Sequence, residues 1–117
     1  MEDVAVYVCT GFLESGKTTF IKDTLVLQDF MEDGLTLLLV CEEGEEEYEE
    51  SFLKKHHIQL LSIDSMDQLN PGFFKNCEKT YHPAQVIVEW NGTWDVQTIL
   101  GMEYPKGWMV QGVYGIA

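Results

Sequence analysis

The chain alternates between short apolar runs and longer polar or amphipathic stretches. Five apolar runs have the length and the content of β-branched and other aliphatic residues that are typical of strands buried on both faces of a parallel sheet. The predicted strands are 4–9, 35–41, 58–63, 84–90 and 108–114. Because helical patterns fill the gaps between them, the sequence predicts an α/β fold, with three layers and a mainly parallel sheet of about five strands.

The longest helical pattern begins at Lys17, places its apolar residues on one broad face, and is expected to stop at Gly34. Further along, Ser65 and Gln68 have the spacing of a capping box, which predicts a helix start. Asn70-Pro71-Gly72 is expected to interrupt that helix. The other predicted helical stretches are 51–55, a short helix that runs to Lys79, and 95–102.

The first predicted strand runs directly into a phosphate-binding motif. The segment from Gly11 to Thr18 meets the P-loop pattern GxxxxGK[ST] in full. Glycines let such a backbone wrap around phosphate oxygens, and the N–H groups at the helix start point at the ligand. In this pattern Lys17 reaches the β- and γ-phosphates, and the Thr18 hydroxyl can ligate Mg²⁺. A chance glycine turn is the alternative, but the flanking strand and helix favour a site for a nucleoside triphosphate.

A second candidate for the same site follows the fourth predicted strand. A P-loop needs a carboxylate for the Mg²⁺ hydration shell, and it usually comes from the end of another buried strand. Glu89 fits, because the run that starts at Gln85 is apolar and then turns acidic. Glu89 and Gly92 have ExxG spacing, similar to the DxxG signature whose glycine N–H senses a γ-phosphate in GTPases. The alternative is a glutamate that only ends a strand and meets solvent.

Glu42 and Glu43 open an acidic run after the second predicted strand. They follow the carboxyl end of a parallel strand, the edge at which α/β sheets bind ligands. Either could reach the metal or a nucleophilic water, although a solvated loop is an equal alternative and the favoured one for residues 45–50. A bound cation, including a transition metal such as Zn²⁺, could also relieve the repulsion among the seven glutamates of the run.

Composition and charge narrow the classes of ligand. The 117 residues suit one domain, and 45% hydrophobic residues are enough for a core. A net charge of −13 disfavours binding to nucleic acid and to anionic membranes, so local groups must hold a phosphate ligand. No apolar run approaches a transmembrane helix, and the acidic N-terminus lacks the basic region of a secretion signal. Three cysteines without a disulfide framework indicate reduced thiols and a cytoplasmic protein.

Three segments, in order, resemble the CobW-type P-loop GTPases. TGFLESGKTTF resembles that family's P-loop, TGFLGAGKTTLL, and LLLVCEEGEEEYEE resembles its NEFGEVG-like stretch. VIVEWNGTWD resembles its IVIETSGLADP-like Walker B segment, where glutamate replaces the usual aspartate. Together the matches cover about the first 95 residues. The family belongs to a wider group with the urease and hydrogenase metallochaperone GTPases.

The resemblance implies GTP hydrolysis with Mg²⁺, linked to insertion or trafficking of a metal such as zinc, cobalt or nickel. It implies that Thr18 and Glu89 serve Mg²⁺ and that Lys17, with Glu42 or Glu43, takes part in catalysis. The expected partners are a nucleotide (GTP or GDP) and either a dimer mate or a metal-receiving client protein. The residues expected to contact the nucleotide are Gly11, Glu14, Ser15, Gly16, Lys17, Thr18, Thr19 and Gly92.

The sequence departs from the family in two motifs. The metal-binding CxCC motif is absent, and Cys77 is the only cysteine in that region. With His82 and either His56 or His57 it could form a different soft-metal site, although such scattered residues are more often structural or exposed. The guanine-specificity motif [NT]KxD does not occur before Ala117, so the sequence predicts an incomplete nucleotide-binding domain over residues 1–117. GTP over ATP therefore rests on the resemblance alone.

The chain also has no arginine, so an arginine finger cannot come from it. Hydrolysis is therefore expected to be slow, or to depend on potassium, a partner or a dimer mate. Three rival functions stay open: an ATP-using kinase or ATPase, a metal-responsive binding module that hydrolyses nothing, and a folded domain that binds no nucleotide.

Overall fold

The computed structural model describes residues 4–11, 34–41, 49–55, 57–91 and 94–116, which build a parallel sheet with helices. The strands are β1 Val4–Gly11, β2 Thr36–Val40, β3 Ile58–Ser62, β4 Gln85–Glu89 and β5 Trp108–Ile116. The described helices are α1 Glu50–Lys55, α2 Pro71–Tyr81 and α3 Val96–Leu100, and a single 3₁₀ turn spans Met66–Gln68. All five predicted strands are therefore confirmed. The helix predicted from Lys17 lies outside the described residues.

The five strands lie in the order β3-β2-β4-β1-β5, and every neighbouring pair is parallel. The expected α/β fold with a parallel sheet is confirmed. The order places β4 between β1 and β2. After β1, the next described strand in the sequence is β2, which lies on one side of the β1–β4 pair. After β4, the next described strand is β5, which lies on the other side of that pair. The β1–β4 pair is thus the topological switch point of the sheet.

Both faces of the sheet are covered by apolar side chains, which explains why the strands read as continuous apolar runs. On one face, called face A, the alternate residues of β1, β2 and β4 pack with α2 and α3 through Phe74, Cys77 and Ile99. On the opposite face, called face B, Leu53 of α1 packs against a second cluster. That cluster contains Cys9, Leu38, Val40, Ile58 and Ile87.

The prediction that Asn70-Pro71-Gly72 interrupts the helical stretch begun at Ser65, and that a further helix follows, is confirmed. The 3₁₀ turn ends at Gln68, and α2 begins at Pro71 and ends at Tyr81, two residues beyond the predicted Lys79. The Asn70 side chain accepts a hydrogen bond from the Phe73 N–H at 2.9 Å, and Pro71 occupies the first turn of α2. Asparagine at the N-cap and proline at the first helical position are both favoured. The predicted capping box of Ser65 and Gln68 is confirmed, but it closes only the single 3₁₀ turn.

Two predictions made from composition, free cysteine thiols and the lack of a transmembrane helix, can be compared with the described residues. Cys9, Cys41 and Cys77 are buried thiols that are not joined by disulfides. Within the described ranges, the structure contains no helix that is both long enough and apolar enough to cross a membrane.

Candidate functional site

The carboxyl ends of β1, β2 and β4 meet at one edge of the sheet, because the three strands are parallel neighbours. Glu89, the last residue of β4, lies in register with Cys9 of β1 and Val40 of β2. The Trp90 N–H donates to the Cys9 carbonyl at 2.8 Å, and the Cys41 N–H donates to the Glu89 carbonyl at 2.9 Å. Hydrogen bonds to both neighbouring strands therefore fix the backbone at Glu89.

Glu89 is a buried carboxylate, with 5% of its surface exposed. By strand alternation its side chain shares face B with Ile87. The side chain is buried, so the alternative that Glu89 only ends a strand and meets solvent is wrong. Burial of a carboxylate is costly unless a cation or hydrogen-bond donors compensate it. A carboxylate at the carboxyl ends of parallel strands could supply negative charge to a divalent cation at this edge.

The GxxxxGK[ST] motif begins next to Glu89. Gly11 is the last residue of β1, two positions beyond Cys9, which pairs with Glu89. On the other side of β4, Cys41 immediately precedes Glu42. The structure thus brings together Gly11, where the motif starts, Glu89, and Cys41, which precedes the acidic run in the sequence. The remaining predicted site residues lie outside the described residues: Glu14, Ser15, Gly16, Lys17, Thr18, Thr19, Glu42, Glu43 and Gly92.

One residue at this edge was not predicted to belong to the site. The Asn91 side-chain amide, Nδ2, donates to the Cys41 carbonyl at 3.2 Å, across 50 positions of sequence. The sequence places Asn91 inside the ExxG spacing, at a position that the motif leaves open. Only the adjacency of β2 and β4 shows that its side chain ties the two strand ends together.

Trp90 lies beside Glu89 but belongs to the cluster on face A. Its side chain is fully buried and makes an edge-to-face contact with Trp94, at 5.2 Å between ring centroids. Its indole Nε1–H finds no acceptor in the part of the chain that the structure describes. Because it neighbours Glu89, Trp90 is a natural fluorescence reporter for ligands at this edge.

The candidate soft-metal residues around Cys77 lie in contrasting environments. Cys77 is only 2% exposed, and burial raises the pKa of its thiol to about 11, so it is a poor metal ligand near neutral pH. The His82 ring is exposed and lies 3.7 Å from the Glu78 carboxylate. His57 is exposed too, and His56 lies outside the described residues. No group of three or more potential metal ligands forms within the described segments.

In comparisons with known proteins, no protein-family model, no curated protein and no solved structure matches this chain. The resemblance to CobW-type GTPases is therefore carried by the three quoted segments alone.

Proposed function

We propose that this chain is the nucleotide-binding part of a Mg²⁺-dependent GTPase of the CobW type, linked to the trafficking or insertion of a metal such as zinc. One observation carries the proposal. The GxxxxGK[ST] motif begins at the end of β1, and the adjacent strand β4 ends in the buried carboxylate of Glu89.

The topology supports a ligand at this position. In open α/β sheets, ligands bind outside the carboxyl ends of the strands, at the switch point. Here the switch point is the β1–β4 pair. The last residue of β1 is the first of the GxxxxGK[ST] motif, and the last residue of β4 is the first of the ExxG motif. A P-loop protein of the NTPase fold also needs its acidic residue on a strand close to the loop. Gly11, where the motif starts, and Glu89 end neighbouring strands, although 78 positions (89 − 11) separate them in the sequence, and this supports the proposal.

The proposed roles follow from the motif and the charge of the chain. Mg²⁺ would neutralise phosphate charge, which matters because a net charge of −13 repels a triphosphate. Thr18 would ligate the ion, and Glu89 would hold its water shell. Lys17 would bind the β- and γ-phosphates, while Glu42 or Glu43 would orient the attacking water. Water would attack the γ-phosphorus, the bond to the β–γ bridging oxygen would break, and GDP and phosphate would leave.

Two rival functions share this site. An ATP-using enzyme would have the same phosphate contacts, and the absence of an [NT]KxD motif from the 117 residues gives no preference for guanine. A metal-responsive module would bind nucleotide without hydrolysing it. Both rivals keep the P-loop and Glu89, so nucleotide choice and turnover separate them from the proposal.

The test is a titration of the protein with GTP and, separately, with ATP in the presence of Mg²⁺. Binding is measured by Trp fluorescence and by calorimetry. We expect tighter binding of GTP, and Lys17→Ala should weaken it about tenfold or more because a charged hydrogen-bond donor to phosphate is lost. Lys75→Ala removes an exposed lysine of α2 and serves as the matched control.

Binding of neither nucleotide would contradict the proposal. Tighter binding of ATP would favour the ATP-using rival. Phosphate release that is equal in the wild-type protein and in Lys17→Ala would favour the module that hydrolyses nothing.

A further inference from the structure

The ends of β2 and β4 are joined by a side chain as well as by the backbone. The backbone ladder between them closes with the Cys41 N–H donating to the Glu89 carbonyl at 2.9 Å. Beyond that bond, the Asn91 Nδ2 donates to the Cys41 carbonyl at 3.2 Å. Both polar groups of the Cys41 backbone are therefore bonded to the segment that begins with Glu89.

The environment of Cys41 makes this contact important. Cys41 is 2% exposed, so water is a poor substitute donor for its carbonyl. A buried carbonyl that loses its donor costs free energy, and the local backbone moves to recover a partner. The Cys41 N–H, which lies in the adjacent peptide group and is joined to the carbonyl through the Cys41 Cα, is the group that holds the Glu89 backbone.

Only a neutral donor suits this position. An aspartate at position 91 would place a carboxylate against the Cys41 carbonyl, so two acceptors would face each other. An alanine would leave the carbonyl without this donor. The carboxamide of Asn91 supplies an N–H without adding charge close to the Glu89 carboxylate.

We infer that Asn91 is a positioning residue for Mg²⁺ at Glu89, an inference that rests on the function proposed above. It acts through the Cys41 backbone, which holds the exit of β4 and thus the Glu89 carboxylate in place. Residues that orient a metal-binding carboxylate change metal affinity without contacting the metal.

The experiment compares Asn91→Ala with the wild-type protein and with Asn76→Ala, which truncates an exposed asparagine of α2. Nucleotide binding is titrated with Mg²⁺, and nucleotide affinity is also measured in EDTA. Asn91→Ala should raise the Mg²⁺ concentration for half-maximal binding about tenfold. Its affinity in EDTA should stay within about twofold of the wild-type value, as should both quantities for Asn76→Ala.

A purely structural role predicts a different result. If Asn91→Ala weakens nucleotide binding equally with and without Mg²⁺, or leaves the Mg²⁺ dependence unchanged, the inference is wrong. Asn91→Gln keeps a carboxamide donor on a longer side chain and should give an intermediate Mg²⁺ dependence. If Asn91→Ala does not fold, Asn91→Ser decides the question, because its shorter side chain does not reach the Cys41 carbonyl as Asn91 does. A wild-type Mg²⁺ dependence in Asn91→Ser would contradict the inference.

The outcome separates this inference from the proposed function. If the wild-type protein binds nucleotide with Mg²⁺ and the Asn91 variants behave like it, only the role of Asn91 is wrong. If the wild-type protein shows no Mg²⁺-dependent binding, the proposed function fails and the role of Asn91 falls with it.

Discussion

The two ends of β4 bury polar side chains on the same face of the sheet but occupy different places in its topology. Gln85 begins the strand with 3% of its surface exposed, and Glu89 ends it with 5% exposed. At the amino end, the Gln85 Nε2 donates to the Thr36 hydroxyl of β2 at 2.9 Å, which makes a neutral pair within the sheet. At the carboxyl end, an ionisable group lies at the switch point, beside the start of the GxxxxGK[ST] motif.

The difference shows that burial of a polar residue does not by itself mark a ligand site. Gln85 and Thr36 lie in register on neighbouring strands, so the sheet supplies the hydrogen bond that they need. Glu89 lies where the connections of β1 and β4 diverge, and this is the place at which α/β sheets bind ligands. Position in the topology, and not polarity or burial alone, favours a functional role for Glu89.

The largest expected effect comes from moving the charge to the amino end of β4. Gln85→Glu should lower the free energy of unfolding by about 3–5 kcal/mol at pH 7, because it buries a carboxylate against the Thr36 hydroxyl without a cation. Urea denaturation followed by Trp fluorescence measures this change.

The control for the Gln85 experiment is Gln97→Glu, which adds the same charge at an exposed position of α3. It should change stability by at most about 0.5 kcal/mol. A loss in Gln85→Glu as small as that of the control would show that the amino end tolerates charge, and the contrast between the two ends would disappear.

A smaller effect is expected at Cys77, an ionisable group that is buried on face A, the face opposite the Glu89 side chain. Burial raises the pKa of its thiol from 9.0 to about 11. Between these values the unfolded chain binds fewer protons than the folded protein, so stability should fall as pH rises from 9 towards 11. The slope from this group is at most about 1.4 kcal/mol per pH unit.

Comparison of this slope with that of Cys77→Ala isolates the thiol. The comparison is needed because burial also raises the pKa of Tyr104 above its ordinary value of 10.0. The variant should have a shallower alkaline slope and an unchanged Mg²⁺ dependence of nucleotide binding. A change in that dependence would mean that ionisable groups away from the carboxyl edge contribute to the site as much as Glu89 does.

Local sequence patterns are sufficient to predict the strands but not their arrangement. Apolar runs marked all five strands, and β1 and β5 extend two residues beyond their predicted ends because they pair with each other as far as Gly11 and Ile116. The strand order and the irregularity of β1–β5 pairing after Val6 depend on contacts between distant segments, which hydrophobic periodicity does not encode. Asn-Pro-Gly is typical both of a turn and of a helix start, and here it has both roles, since it separates the 3₁₀ turn from α2 and begins α2.

For the candidate site too, the sequence predicts single residues but not the contacts between distant segments. An acidic residue after an apolar run identified Glu89 as a candidate, and its burial confirms that it does not simply meet solvent. The contact of Asn91 with Cys41 was not predictable, because it exists only when β2 and β4 are neighbours. For the same reason, nothing in the local sequence around Gln85 pointed to its bond with Thr36.

The most direct test of the account is the Mg²⁺ dependence of nucleotide binding in Glu89→Gln, which removes the charge and keeps the shape of the side chain. We expect the Mg²⁺ concentration for half-maximal binding to rise about 10- to 100-fold, because a carboxylate proposed to hold the ion's water shell is lost. The matched control is Glu103→Gln, which removes an exposed carboxylate and should behave like the wild-type protein. A Glu89→Gln protein that folds and keeps the wild-type Mg²⁺ dependence would contradict the account.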